Sequence, residues 1–291
     1  MRVQKLLNIV VSFFVDVMYS IYEPLKLKWI RSNNRGSLSH CKNGPLISVY
    51  VPTYNRCDIL LSRAVKSVLN QTYKNFEFII IGDGCTDSTE EEIGKLKDDR
   101  IRFVNIQRKK RKFPNTVKNH WLAGPIIPAN YALSMVRGEW VARIDDDERW
   151  TKEHLDKLLE YAIKNDCEFI TGDIESIIDG VPVIDKGCKM YSDYFHTKHL
   201  QGSKIENPEI GGTSTILYRS YLKSFKYNKN CWRKSVNSAN DIDLYVRFIK
   251  AGVKICHLNK TVTFQHPRPG EDTIGWGAYY RDRKNKIQHF N

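Results

Sequence analysis

Apolar and polar positions follow two rhythms along most of this chain. "PLISVYVPTYN" (45–55), "FEFIIIGDG" (76–84), "RIRFVNI" (100–106), "EWVARI" (139–144) and "EFITGDIESII" (168–178) are β-rich runs. The first two close on turn residues, as strands do. Between them "CDILLSRAVKSVLNQ" places apolar residues at 60, 61, 64, 65, 68 and 69, the spacing of one helix face. Helices are likewise predicted over 87–97 with Asp87 as N-cap, over "NYALSMV" (130–136), over 151–165 with Thr151 as N-cap, and over "NSANDIDLYVRFIKAG" (237–252).

Strands alternating with helices imply right-handed crossovers and a mostly parallel sheet. Such sheets bind ligands beyond the carboxyl ends of their strands. Three polar motifs fall there: "PTYNR" after the first strand, "GDGCTD" after the second and "DDDE" after the fourth. They are expected to converge on one crevice. "RSNNRGSLSHCKNG" (31–44) reads as a linker.

The N-terminal run "LLNIVVSFFVDVMYSIY" (6–22) is strongly apolar, yet Asn8, Ser12, Asp16 and Ser20 recur every four residues. On a helix they form one narrow polar stripe. Asp16 interrupts the apolar core that a secretory signal needs, and it spoils a charge-free span of about 20 residues. The pattern predicts an amphipathic helix that lies on a membrane or docks on the domain.

Charge adds to this picture. The 291 residues carry 46 Lys and Arg against 33 Asp and Glu, a net +13, which favours anionic partners without choosing among them. One run, "QRKKRKFPN" (107–115), reads as a loop beside a phosphate site or as solvated surface; a nucleic-acid patch is the weaker reading. Seven cysteines without a C-x-x-C pair read as scattered reduced thiols rather than a disulfide frame or zinc site.

The chemistry centres on "GEWVARIDDDERW" (138–150), where Asp145, Asp146 and Asp147 follow an apolar strand. Adjacent carboxylates resist burial unless a cation joins them. If the strand persists, Asp145 and Asp147 point to one side and make a hard-oxygen site for Mg²⁺ or Mn²⁺, completed by substrate phosphates. No Walker lysine motif is present, so a P-loop ATPase is unsupported. No G-x-G-x-x-G follows the first strand, so neither is a dinucleotide dehydrogenase.

"ISVYVPTYNR", "SVLNQTYKNFEFIIIGDGCTDST", "ANYALSMVRGEWVARIDDDERW" and "NDIDLYVRFIKAG" stand in the order found in inverting glycosyltransferases of family 2, which the chain resembles from about residue 46 to 267. The resemblance implies a GT-A fold: an α/β, Rossmann-like, mostly parallel central sheet with flanking helices. It also implies a nucleotide-sugar donor, most simply a UDP-sugar, and a divalent metal. Carried over by motif, Pro52, Thr53, Tyr54, Asn55 and Arg56 resemble the first nucleotide-binding loop, with Tyr54 able to stack on the base. Asp83 matches the aspartate that accepts from a base N–H. Asn130 matches an asparagine on the helix before the acidic motif. Asp145 and Asp146 would face the donor, and Asp147 matches the direct metal ligand, with Asp145 and His266 beside it. The chain has "IPAN" where many relatives carry an arginine before the asparagine, so a phosphate cation would come from residues 107–112 or from Arg268. Asp241 matches the catalytic base, with Asn240 where relatives carry the preceding acid. Glu206 and Glu209 are the next acidic groups on the acceptor side, and "GGTSTILYRSYL" (211–222) resembles the segment that closes over the donor sugar.

The expected protein is an inverting glycosyltransferase of surface polysaccharide synthesis with a glycan or lipid-linked acceptor. It would work in the cytoplasm, peripherally on the inner membrane face, without a nucleic-acid partner. Residues 1–44 would form the apolar helix and linker, 45–150 the nucleotide-sugar half and 151–291 the acceptor half. A metal-dependent nucleotidyltransferase and a non-catalytic nucleic-acid binder are the alternatives.

Overall fold

The computed structural model describes residues 2–33, 44–108, 111–186, 209–275 and 277–278. Lys109, Lys110, Cys41, Cys188 and Glu206 lie outside them.

The described residues build one nine-stranded sheet. Its strands are β1 (Ile47–Thr53), β2 (Phe76–Gly82), β3 (Ile101–Asn105), β4 (Trp140–Arg143), β5 (Glu148–Trp150), β6 (Phe169–Ile178), β7 (Val181–Asp185), β8 (Leu217–Arg219) and β9 (Ile255–Gln265). They lie in the order β3-β2-β1-β4-β8-β6-β9-β5, with β7 paired to β6. β3, β2, β1 and β4 are parallel. β8 turns antiparallel between β4 and β6, and β6 and β9 are again parallel. β5 is contributed from before residue 151, yet it pairs with β9, so the two halves of the chain share one sheet.

Every residue of β1 and β2 is buried, as expected of strands covered on both faces. Their alternate residues serve two core layers. Tyr50, Ile79 and Ile81 pack under α6 (Ile126–Met135) and α8 (Asn240–Ala251). Val49, Val51, Phe78 and Ile80 pack under a helical run and α7 (His154–Lys164). That run comprises α2 (Cys57–Leu60), a π-helical turn (Leu61–Val65) and α3 (Lys66–Leu69). Two short helices, α4 (Thr89–Lys95) and α5 (Val117–Ala123), complete the described set. The N-cap of α4 is Ser88 rather than the expected Asp87, which lies one residue earlier and accepts from the Thr89 N–H and hydroxyl. α7 begins three residues after Thr151, which supplies a backbone carbonyl to His154 rather than a side-chain cap. α8 ends where Gly252 adopts φ +80°, the left-handed stop that a Cβ would strain.

Two expectations change. The N-terminal helix, α1 (Arg2–Asn33), continues through Pro24 and into the expected linker. Cys167 and Cys256 are joined in a disulfide with their Cα atoms 6.0 Å apart, so the thiols are not all reduced. The parallel β6–β9 register sets Ile170 opposite Cys256, which brings Cys167 within reach. A separation of 89 residues left no local spacing to flag the pair. Cys57, Cys85 and Cys231 are free and buried.

Candidate active site

The three strand-end motifs do meet, around a cavity of about 1150 Å³. β1 delivers Pro52, Thr53, Tyr54 and Arg56; β2 delivers Asp83; β4 delivers Asp145–Glu148. Thr213, Asp241, His266 and Arg268 close it from the second half of the chain. The size exceeds that of a typical single-ligand pocket and accommodates two reactants.

The four acids do not continue the strand. β4 stops at Arg143, and the acids turn, so each meets a different partner. Arg143, whose side chain is 2% exposed, donates to Asp145 Oδ1 from Nη2 at 2.9 Å. Its Nη1 donates to the Asn240 side-chain oxygen at 3.1 Å. Burial works against the Arg143 charge, and Asp145, Tyr227 and Tyr50 together outweigh it, so the group stays a cation. Arg143 therefore ties the acidic turn to the start of α8. A lone arginine inside the apolar "WVARI" was the sequence signal for it. Both Asp146 oxygens are already held, by the Thr53 hydroxyl at 2.8 Å and by Arg56 at 2.8 Å. Asp146 thus braces the first loop instead of standing open to a sugar. Asp147 Oδ2 faces Arg56 at 3.6 Å and Arg268 at 3.7 Å and is a quarter exposed. Glu148 Oε1 accepts from Gln265, while Oε2 is buried without a partner. Burial and the neighbouring carboxylates push Asp145, Asp146 and above all Glu148 up from the usual carboxylate range. A cation entering here would relieve all three.

Arg63, on the π-helical turn, is a second functional arginine the sequence reading missed. It donates to the backbone oxygens of Asp147, His266 and Pro267 at 2.7–2.8 Å. It thereby clamps the acidic turn to the His266 loop.

At the nucleotide end the basic run is already engaged. Arg108 lies 3.6 Å over the Tyr54 ring, and Arg111 donates to Asp83 Oδ2. Asp83 Oδ1 and Arg111 Nε and Nη1 are buried without partners, an open acceptor beside open donors. Gly84, at φ +75°, permits the approach: a Cβ there would stand 2.6 Å from Arg108 Cβ. Burial, with Arg108 and Arg111 nearby, lowers His120 to about 4. Two expected nucleotide residues fall outside the lining. Asn55 spends its side chain on Thr86, bracing two loops. Asn130 spends its amide on both backbone groups of Tyr227. Each is polar for a structural reason that a motif match cannot distinguish from binding.

At the other end, Asp241 opens α8 into the cavity. Its Oδ2 accepts from Thr213 Oγ1 at 2.7 Å and its Oδ1 from the Ile242 N–H at 2.9 Å. Each oxygen keeps a further lone pair. Glu209 also lines the cavity.

Among the described residues no three His, Cys, Asp or Glu stand together as a ready metal cage. Asp145, Asp147 and His266 are therefore not a preassembled triad. The donors nonetheless suit a divalent ion that brings its own phosphates. Asp147 is accessible, the carboxylates are mutually repelled, and His266 Nε2 is buried without a partner. Burial, then Arg149 and Arg63, lower the His266 pKa and keep the ring neutral.

The model for glycosyl transferase family 2 matches residues 48–225. The chain is 32% identical over 231 residues to the UDP-Glc:alpha-D-GlcNAc-diphosphoundecaprenol beta-1,3-glucosyltransferase WfaP of Escherichia coli, covering 77% of this chain and 78% of that one. S. aureus TarS 1-349 in complex with UDP-GlcNAc superposes with a TM-score of 0.56 at 19% identity, over 78% of this chain and 60% of that chain. Mannosyltransferase PcManGT from Pyrobaculum calidifontis, in complex with GDP-Man and Mn²⁺, superposes with a TM-score of 0.55 at 15% identity, over 99% and 74%. These likenesses establish the GT-A-type fold.

Proposed function

The chain belongs to glycosyl transferase family 2, and from that premise we propose an inverting transfer of a sugar from a nucleotide-diphosphate sugar, with UDP as the favoured nucleotide. The acceptor is a glycan or a lipid-linked glycan of surface polysaccharide synthesis, met at the cytoplasmic membrane face. Family membership supports this reading over the nucleotidyltransferase and the non-catalytic nucleic-acid binder. One observation carries the proposal: Asp241 and the Asp145–Glu148 turn face one cavity from opposite halves of the fold.

In this reading Tyr54, Asp83 and Arg111 hold the base end of the donor, and Arg56 and Arg268 lie where its diphosphate passes. Asp147 and Asp145 would hold a divalent ion, with His266 beside them. Such an ion, when bound, offsets the charge that develops on the leaving diphosphate. Asp241 takes the proton of the acceptor hydroxyl. The freed oxygen forms its bond to the anomeric carbon from the face opposite the departing phosphate oxygen. The nucleoside diphosphate leaves with the bonding pair, and the configuration inverts. Thr213 fixes the Asp241 carboxylate, and Arg143 holds Asn240 and hence the α8 start at a set distance from the acidic turn.

Nucleoside diphosphate release from a panel of UDP-, GDP- and dTDP-sugars with Mn²⁺ tests the reaction class. Acceptor-dependent release from one of them is expected; no release from any of them would refute it.

A further inference from the structure

α1 is amphipathic, but its polar edge is the one that faces the protein. Asp16 pairs with Lys234 at 2.5 Å, and Glu23 pairs with Arg247. The same Arg247 lies 3.9 Å over the Tyr19 ring. Asn8 accepts from Arg233, Arg31 pairs with Glu168, and Leu27 and Ile30 are buried. Asn8 and Asp16 of the sequence's polar stripe thus lie on a docking seam that continues through Tyr19, Glu23 and Leu27, while Ser20 is exposed.

The opposite face is apolar and bare. Phe13, Phe14, Met18, Ile21, Leu25 and Trp29 are each 62–67% exposed, and Leu6, Leu7, Ile9, Val10 and Val17 are exposed with them. Soluble monomers rarely expose so large a contiguous apolar surface. By length and composition Leu6–Asn33 could cross a membrane. The docking contacts forbid that here. They run from Asn8 to Arg31, about 35 Å of helix, and a spanning helix could not keep that length against a water-soluble domain.

We propose that α1 is an in-plane membrane anchor: its polar seam locks onto α8, and its bare apolar face sinks into an anionic lipid bilayer. The net charge of +13 complements an anionic leaflet. Lys28 is exposed next to Trp29, and Lys26 lies 5.3 Å over the exposed Tyr22 ring; Trp and Tyr are the amphipathic residue types that settle at a headgroup boundary. The anchor also sets orientation. α1 runs parallel to α8, since Asp16 lies at the Asp243 end through Lys234 and Arg31 reaches the Gly252 carbonyl. Its apolar N-terminal half therefore sits at the end of α8 that carries Asp241. A bilayer on that face holds the acceptor side of the cavity next to the membrane surface. This orientation rests on the reading of Asp241 as the acceptor-side group; the lipid contact itself does not.

The test uses the full chain and its Phe14→Glu/Met18→Glu variant, neither residue being part of the cavity. Binding to vesicles of phosphatidylglycerol and phosphatidylcholine is compared with oligomeric state by sedimentation equilibrium and with nucleoside diphosphate release on a water-soluble acceptor. The wild type should be monomeric and bind anionic vesicles. The variant should keep its fold and turnover and bind at least about tenfold more weakly per side chain replaced. Equal binding of both proteins, or no binding by the wild type, overturns the proposal. A wild-type dimer that the substitutions dissociate also overturns it, because a second copy then covers the face. Vesicle binding without transfer from any nucleotide sugar would sink the proposed reaction and leave the anchor standing.

Discussion

Asp243 is fully buried against Lys234 at 2.5 Å, whereas Asp241, two residues earlier on the same helix, opens into the cavity and accepts from Thr213. Asp243 also meets Arg247 and Asn228, so it ties α8 to α1 through Arg247 and Glu23. Asp243→Asn should therefore act on stability and not on chemistry. Removing one partner from a buried ion network costs about 3–5 kcal/mol. Chemical denaturation should show a loss of that order, with turnover per folded molecule close to wild type. A stable variant with impaired turnover would assign Asp243 to the chemistry.

The acidic turn gives a second expectation. Asp147→Ala should lower metal-dependent UDP or GDP affinity by more than about tenfold, since even outer partners of a bound metal are worth that much. The fold should survive, because Arg56 and Arg268 keep Asp146 and Glu271 as partners. Calorimetric titration with Mn²⁺ present and absent reads both terms. Unchanged metal-dependent affinity would remove Asp147 from the site.

Much of this was legible in the sequence because strand ends are local events. An apolar run closed by turn residues fixes where a strand stops, and the sheet then gathers "PTYNR", "GDG" and "DDDE" without further information. What was not legible depends on distant partners. The Asp146 side chain is spent on Thr53 and Arg56, Asn130 on Tyr227, and the outward face of α1 follows from Lys234 and Arg247, more than 200 residues away. Arg143 and Arg63 were hidden for other reasons: Arg143 is a lone cation in an apolar strand, which periodicity treats as noise, and Arg63 sits at a polar position of its helix near Lys66, where it reads as solvated surface.

Acid should unfold the protein through a buried histidine. His154 is 0% exposed, stacks on Trp150 at 3.9 Å and is lowered to about 3 by burial. Between pH 6.5 and about 3 the unfolded chain binds a proton here that the folded chain excludes. Stability therefore falls as pH drops through that window, by about 1.4 kcal/mol per pH unit for each such proton. Urea midpoints between pH 7 and 4.5 should show the slope, and His154→Gln should flatten it. Identical slopes would show that this ring does not govern the acid limb.

The Cys167–Cys256 bond lies at the ends of β6 and β9 remote from the cavity. Reducing it should cost about 2–4 kcal/mol of stability while leaving donor affinity unchanged. Thermal melts with and without reductant, paired with a donor titration, check this. A fall in donor affinity in still-folded, reduced protein would mean that the bond shapes the site.

The central assignment is the base. Asp241→Asn keeps the side-chain size and, through its amide oxygen, the hydrogen bond from the Ile242 N–H; its NH2 can only donate to Thr213 Oγ1, so that contact reverses, and the basicity is lost. Turnover at saturating donor, measured with donor and metal binding on the same preparation, is the most direct test. The assignment predicts wild-type binding and turnover lower by on the order of 10²–10⁴. Turnover within about threefold of wild type, outside the range expected of a general base, would contradict it and pass the role to another acid lining the cavity, with Glu209 first.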